Sequence, residues 1–85
     1  MEEEIRKVIS EVPKLREIVP QLAAGGDLWD AGMDSMTSVQ MMLRLEDHYG
    51  VEFPDGSLTR DTFASIRSLG TVLAPLLEER KATTG

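Results

Sequence analysis

Apolar residues recur at helical spacing along most of this chain, and no stretch alternates apolar and polar residues as a half-buried strand would. The first run places its apolar residues at i, i+3, i+4 and i+7: Ile5, Val8, Ile9 and Val12. This spacing predicts an amphipathic helix that Pro13 ends or kinks near Glu11. The apolar rhythm then resumes at Leu15, which predicts a second helical stretch before Pro20.

A central helix is predicted from near Ser35 to near Tyr49, with Gly50 as its C-terminal stop. When successive residues are set about 100° apart, its apolar residues form two stripes on different sides. The first stripe suits the core and consists of Met41, Met42, Leu45 and Tyr49. The second consists of Met36, Val39 and Leu43, with Gln40, Glu46 and Asp47 beside it. A neighbouring helix could cover the second stripe, or its adaptable Met side chain and polar neighbours could bind a partner; both interpretations are open.

The chain beyond Gly50 is predicted to turn around Pro54–Gly56 and to form a short helical turn near Leu58–Phe63. A last helix is predicted from about Ser65, with Pro75 inside it as a bend. Its inward-facing residues are Ile66, Leu69, Val72, Leu73, Leu76 and Leu77. Residues 80–85 have the composition of a flexible tail.

These elements predict an all-α fold, a small four-helix bundle of three longer helices and a short one around one core. With 85 residues the chain makes a single domain, residues 1–85, with a core of about residues 2–79. Leu28 and Trp29, in the Gly- and Asp-rich loop 23–34, are predicted to pack against the helices. Because the chain begins with Met and ends just past the last helix, we expect a discrete protein and not a module of a larger one.

The formal net charge of −6 argues against nucleic acid and anionic membranes as partners. The acidic N-terminus is unlike a signal peptide, and no segment is long and apolar enough to span a bilayer, so a cytoplasmic location is expected. Without cysteine, a disulfide framework, a thiolate metal site and a Cys nucleophile are excluded. The single His48 has no catalytic partner pattern, and Asp27, Asp30 and Asp34 lack the spacing of a calcium loop. The composition predicts neither an enzyme nor a metal site.

Ser35 follows Asp34 at the start of the central helix, and two interpretations of this pair are open. Either side chain could cap the helix by accepting hydrogen bonds from the N–H groups of its first turn. Those N–H groups and the positive end of the helix dipole also stabilise a phosphate, so a phosphate ester on Ser35 would be well placed beside Met36. Asp34 would then be available to assist a modifying enzyme and its metal ion.

Residues 27–55, DLWDAGMDSMTSVQMMLRLEDHYGVEFPD, resemble the core of an acyl carrier protein or thiolation domain. In that family's pattern, a glycine and an apolar residue precede an Asp-Ser pair that opens the second helix. An acidic residue, an aromatic residue and an apolar–x–apolar–Pro turn follow. The matching residues are Leu28, Gly32, Met33, Asp34, Ser35, Met36, Glu46, Tyr49, Val51, Phe53 and Pro54. The later TFASIRSL resembles the start of the family's last helix, so the resemblance covers nearly the whole chain.

The resemblance implies that Ser35 carries 4′-phosphopantetheine, transferred from coenzyme A and joined through a phosphodiester, with Asp34 in support. The thiol of this arm would hold an acyl or aminoacyl group as a thioester, which suits a chain without cysteine. The implied protein is a monomeric carrier, not an enzyme, and its partners are a phosphopantetheinyl transferase, an adenylating acyl or aminoacyl ligase and downstream acyl-transferring enzymes. The implied docking surface consists of Met36, Val39, Gln40, Leu43, Glu46 and Asp47.

Three positions depart from the fatty-acid carriers of this family. Met36 stands where Leu is the commonest residue, and Gln40 and Arg44 replace residues that are often acidic or apolar. These departures weaken the case for a standard fatty-acid synthase, and specific loading with an amino acid by a stand-alone adenylating ligase is an alternative. An alternative of another class is an unmodified helical domain whose Met-rich stripe binds one protein partner.

Overall fold

Two short helices form the N-terminal part of the computed structural model, which describes the backbone of residues 1–84 and the side chains of residues 1–79. Helix α1 spans Glu2–Ile9 and helix α2 spans Pro13–Ile18, followed by a 3-10 turn at Val19–Gln21. Pro13 begins α2 at the position where its missing N–H is tolerated, and Val12 before it is extended. The proline therefore separates two helical stretches as predicted, although α1 already ends at Ile9 and not near Glu11.

The central helix, α3, spans Ser35–Tyr49, so both of its predicted ends are confirmed. Gly50 has a φ of 66°, in the left-handed region that glycine adopts at little cost. From this conformation the backbone N–H groups of Gly50 and Val51 donate to the carbonyl oxygen of Glu46, at 2.8 and 3.2 Å. The chain therefore turns away from the helix axis immediately after Tyr49.

The segment after Gly50 turns twice before α4. A 3-10 turn spans Asp55–Ser57, and residues 60–63 form turns within the predicted Leu58–Phe63 range without becoming a regular helix. Local hydrogen bonds keep these turns short, because Ser57 Oγ donates to the Pro54 carbonyl oxygen at 2.7 Å and the N–H of Thr62 donates to Thr59 Oγ1 at 3.2 Å. Such side-chain bonds compete with the backbone bonds of a helix.

The last helix, α4, spans Ile66–Thr84 and contains Pro75. Three of its predicted inward residues, Ile66, Leu69 and Leu73, have no exposed surface. The backbone of the predicted tail is helical as far as Thr84, while the side chains of residues 80–85 and all of Gly85 lie outside the described residues. The core bounds of about 2–79 stay a prediction.

One core unites the four helices of the described residues, since α1 packs against both α3 and α4. This confirms the predicted all-α four-helix bundle, with α2 as its short member. The buried apolar residues are Ile5, Val8, Ile9, Val12, Leu15, Val19, Leu28, Met33, Met41, Leu45, Phe53, Phe63, Ile66, Leu69 and Leu73. Along the part of the chain that the structure describes, no helix is long and apolar enough to cross a bilayer.

The loop between α2 and α3 is bonded at two points to the segment around the start of α4. Within it the Leu28 side chain is fully buried, as predicted, and its N–H donates to the Ala64 carbonyl oxygen at 2.6 Å. The Arg67 N–H donates to the Ala24 carbonyl oxygen at 2.9 Å. The loop is thereby bonded to the beginning of α4, and the residues before Ser35 lie beside the segment that precedes α4.

Candidate functional site

The N-terminus of α3 is capped by Asp34 and not by Ser35. Asp34 has extended backbone, and its Oδ1 accepts a hydrogen bond from the Thr37 N–H at 2.8 Å. Lys14 Nζ lies 3.3 Å from Asp34 Oδ2. Hydrogen bonds from the Thr37 side chain and backbone, and then Lys14, lower the pKa of Asp34 from 3.8 to about 2. The carboxylate therefore stays charged near neutral pH and pairs one of the N–H groups that the first turn leaves free.

Ser35 is the first residue of the helix, and its side chain is exposed. Its carbonyl oxygen accepts a hydrogen bond from Ser38 Oγ at 2.7 Å. Among the described residues, however, nothing bonds to the Ser35 hydroxyl. Because the cap does not need it, this hydroxyl is free to react.

A groove of about 370 Å³ begins at Ser35. One wall belongs to α3 and includes Val39 and Met42, while the other belongs to the turns before α4 and includes Leu58 and Phe63. Val39 and Leu58 are each 46% exposed, so the upper walls are apolar and open to solvent. We call this space the Ser35 groove. It suits a slender, mostly uncharged chain lying along an apolar surface.

Trp29 and Arg60 also line the Ser35 groove. Trp29 Nε1–H donates to the Arg60 carbonyl oxygen at 3.0 Å, and the Arg60 guanidinium carbon lies 4.7 Å from the centre of the indole ring. Trp29 packs against the core as predicted, but its contact with Arg60 was not foreseen. The two residues are 31 positions apart, and no local pattern in the sequence signals such a contact.

The two stripes of α3 separate as predicted. Met41 and Leu45 of the first stripe are fully buried. Met36, Val39 and Leu43 of the second are 69%, 46% and 54% exposed, so the described part of the chain leaves this stripe uncovered. The polar residues on the same side, Gln40 and Asp47, are exposed as well. We call these five residues, Met36, Val39, Gln40, Leu43 and Asp47, the α3 stripe.

Glu46 lies beside the α3 stripe but differs from it in burial and bonding. Its side chain is half-buried, and its Oε2 accepts a hydrogen bond from the Phe53 N–H at 2.8 Å. Phe53 is itself buried and lies against Phe63, with 5.6 Å between their ring centres. Glu46 therefore holds the segment that forms the far wall of the Ser35 groove.

A second group of titratable side chains lies at the other end of α3. The buried Tyr49 hydroxyl makes no hydrogen bond of good geometry, and burial, followed by the nearby Glu4 carboxylate, raises the pKa of Tyr49. His48 Nε2 lies 3.9 Å from Glu4 Oε1. Among the described side chains, no three metal-ligating groups come together here or elsewhere.

The sequence matches the family model described as "Phosphopantetheine attachment site" over residues 3–73, well over half of the chain. The chain belongs to the phosphopantetheine-attachment family. The protein is therefore a carrier that serves partner enzymes, and it is not itself an enzyme. The group that defines the family supplies a thiol, which this carrier, lacking cysteine, does not have.

The carrier is similar to carrier proteins of Agrobacterium. It is 36% identical over 78 residues to the aminoacyl carrier protein of Agrobacterium fabrum, covering 92% of this chain and 94% of that one. It also resembles a chain in the crystal structure of an engineered Bradyrhizobium japonicum glycine:[carrier protein] ligase complexed with a carrier protein from Agrobacterium tumefaciens and AMP. That match has a TM-score of 0.79 and 36% identity, and covers 87% of this chain and 99% of the other.

A further match supports the fold alone. It is to the B. japonicum ligase complexed with its cognate carrier protein and an analogue of glycyl adenylate, with a TM-score of 0.72 and 22% identity, covering 87% of this chain and 96% of the other.

The surroundings of Ser35 fit a phosphopantetheine group. The hydroxyl is exposed and makes no hydrogen bond within the described residues, which a phosphodiester linkage requires. The adjoining groove offers apolar walls to the arm and one cation, Arg60, to its phosphate.

Proposed function

We propose that this carrier bears 4′-phosphopantetheine on Ser35 and holds an amino acid as a thioester on the arm. The observation that carries the proposal is that two neighbouring residues at the start of α3 have different roles. Asp34 caps the helix, and the neighbouring hydroxyl of Ser35 is left exposed and without a hydrogen bond in the described residues. This hydroxyl lies at the beginning of the Ser35 groove.

In the attachment step, the Ser35 oxygen attacks the phosphorus atom of coenzyme A that bears pantetheine. A new P–O bond forms, the bond from that phosphorus to the nucleotide breaks, and the hydroxyl proton passes to a base of the phosphopantetheinyl transferase. The charged Asp34 carboxylate, one residue away, is placed to assist the transferase and its metal ion. Its lowered pKa keeps it ionised at the pH at which the transferase works.

Amino acid cargo is favoured over a fatty acid by the relatives. The A. fabrum relative is an aminoacyl carrier protein and the A. tumefaciens carrier was crystallised with a glycine:[carrier protein] ligase, each at 36% identity over most of this chain. We infer that a stand-alone adenylating ligase of this kind loads the carrier. A downstream acyl-transferring enzyme then receives the cargo.

The docking surface for these partners is inferred to be the α3 stripe. It combines three exposed apolar side chains with Gln40 and Asp47, and it adjoins Ser35. Glu46, which the sequence placed in this surface, is a weaker candidate because its carboxylate already bonds to Phe53. The acidic composition further supports a monomeric carrier in the cytoplasm.

Attachment is tested by incubating the apo-protein with coenzyme A and a broad-specificity phosphopantetheinyl transferase and then measuring intact mass. We expect a gain of one phosphopantetheine that is lost in Ser35→Ala. The matched control is Ser38→Ala, which removes the other serine hydroxyl of α3 and should still gain the arm. If the wild type gains no mass while the transferase modifies another carrier, an unmodified interaction domain becomes the better interpretation.

Cargo is tested on the holo-protein. It is incubated with ATP and either an amino acid with a glycine:[carrier protein] ligase or a fatty acid with an acyl ligase. We expect a hydroxylamine-labile mass gain with the amino acid only. Loading with the fatty acid instead would reject the aminoacyl assignment and leave the attachment site intact.

A further inference from the structure

Arg60 is a cation without an anionic partner in an acidic protein. The chain carries 15 carboxylate residues and a net charge of −6. Within the described residues the Arg60 guanidinium nevertheless donates no hydrogen bond and pairs with no carboxylate. It lies over the face of the Trp29 ring. Its five N–H donors are therefore available to a ligand.

The position of Arg60 is restricted from two directions. Its carbonyl oxygen accepts the hydrogen bond from Trp29 Nε1, and its guanidinium lies over the same indole. A side chain restrained in this way loses less conformational entropy when it binds than a free surface arginine does. Because both residues line the Ser35 groove, the restraint keeps the cation at the wall of the groove.

The other polar side chains of the groove are already engaged within the chain. Ser38 Oγ donates to the Ser35 carbonyl oxygen, and Thr59 Oγ1 lies 3.1 Å from Thr62 Oγ1 and accepts the Thr62 N–H. No carboxylate of the described residues lines the groove. Arg60 is thus the one charged side chain that an arm entering the groove would meet.

We propose that Arg60 pairs with the phosphodiester of the arm on Ser35 and so positions the arm along the Ser35 groove. This inference rests on the proposed attachment at Ser35. The phosphodiester is the only charged part of a pantetheine arm, and its link to Ser35 keeps it at the end of the groove. A planar guanidinium can bond two phosphate oxygens at once, and such charge-assisted pairs are stronger than neutral ones. Arg60 is a positioning residue in this scheme, not a catalytic one.

The arm's position can be read by NMR on the isolated holo-protein, without any partner enzyme. Intact mass first confirms that each variant carries one arm on Ser35. We then expect nuclear Overhauser effects between the geminal methyl groups of the arm and the side chains of Val39 and Leu58. In Arg60→Gln these effects should be lost, while Arg60→Lys, which keeps the charge but not the planar guanidinium, should retain them in weakened form. Lys7→Gln makes the same charge change on α1, away from the groove, and should leave them unchanged.

Each remaining outcome overturns the inference. Unchanged effects in Arg60→Gln would mean that Arg60 does not position the arm, and their absence in wild type would mean that the arm does not lie in the groove. Complete loss of the Overhauser effects in both Arg60→Gln and Arg60→Lys would mean that Arg60 acts by packing on Trp29 and not by pairing with the phosphate charge. Because Arg60 is exposed, the variants should fold, and the amide spectra of the apo-proteins verify this.

A second measurement uses the wild type alone. At about 1 M NaCl the Debye length falls to about 3 Å, so an exposed charge pair weakens and the Overhauser effects should decrease. Overhauser effects that stay undiminished in high salt would refute a charge pair between Arg60 and the phosphodiester. Failure of the proposed function is distinguishable, since it would appear earlier as the absence of any mass gain on Ser35.

Discussion

Removing the Glu46 carboxylate should mainly lower the stability of this carrier and not its binding to partner enzymes. Glu46 Oε2 accepts the Phe53 N–H at 2.8 Å in half-buried surroundings. A hydrogen bond to a charged group contributes about 1.5–3 kcal/mol, and its loss would leave a buried N–H unpaired. Because alanine has a higher helix propensity than glutamate, the substitution also stabilises the helix by a few tenths of a kcal/mol. We therefore expect Glu46→Ala to lower the free energy of unfolding by about 2 kcal/mol, which corresponds to about 8–16 °C in Tm for a domain of this size.

Urea unfolding followed by the fluorescence of Trp29, the only tryptophan, measures this change. Glu46→Gln keeps an acceptor oxygen without its charge and should lose less, about 1 kcal/mol. Asp47→Ala is the matched control because Asp47 is the next residue on α3 and is exposed, and it should stay within about 0.5 kcal/mol of wild type. If Glu46→Ala proves as stable as Asp47→Ala, the bond to Phe53 does not hold the groove wall, and Glu46 returns to the candidate docking residues.

Three further predictions concern the two ends of α3 and its exposed stripe. The lowered pKa of Asp34 stabilises the fold above about pH 4, and this contribution is lost as pH falls through about 2, so the stability difference between wild type and Asp34→Asn should shrink over that range. A constant difference in urea titrations would contradict it. Gly50→Ala places a Cβ at φ 66° and should cost about 1 kcal/mol in thermal unfolding, whereas an unchanged Tm would show that the helix end can relax. Val39→Asp should lower the kcat/KM of ligase loading about tenfold or more with an unchanged circular dichroism spectrum; equal loading would remove Val39 from the docking surface.

Local signals in the sequence were sufficient to predict the ends and the buried face of α3. Asp34 at one end and Gly50 at the other act on backbone groups within four residues of themselves, and both predicted bounds of the helix are confirmed. The period of 3.6 residues likewise separated the buried Met41 and Leu45 from the exposed Met36. Periodicity could not decide whether a neighbour covers the second stripe, because that depends on where α1 and α4 pack.

The far wall of the groove was not predictable in the same way. Its position depends on contacts between residues distant in sequence, such as the bond from Trp29 to Arg60 and the bond from Leu28 to Ala64. Glu46 was assigned to docking because acidic residues on this helix serve that role in the family it resembles. Its bond to Phe53 depends on the turn at Gly50, which brings residue 53 back beside the helix. Sequence patterns predict helical periodicity and helix caps, but they do not predict contacts that form when the backbone turns back against a helix.

The start of α3 has to accommodate two neighbouring negative charges once an arm is attached. Asp34 remains ionised, and a phosphodiester on Ser35 would add a second anion at the next residue. The helix dipole favours both, and Lys14 lies 3.3 Å from the Asp34 carboxylate. Lys14 is engaged there, and Arg60 is the cation that the Ser35 groove offers to the phosphodiester. The two cations therefore have separate partners. Lys14 pairs with the Asp34 carboxylate, and Arg60, held over Trp29, remains available to the phosphate.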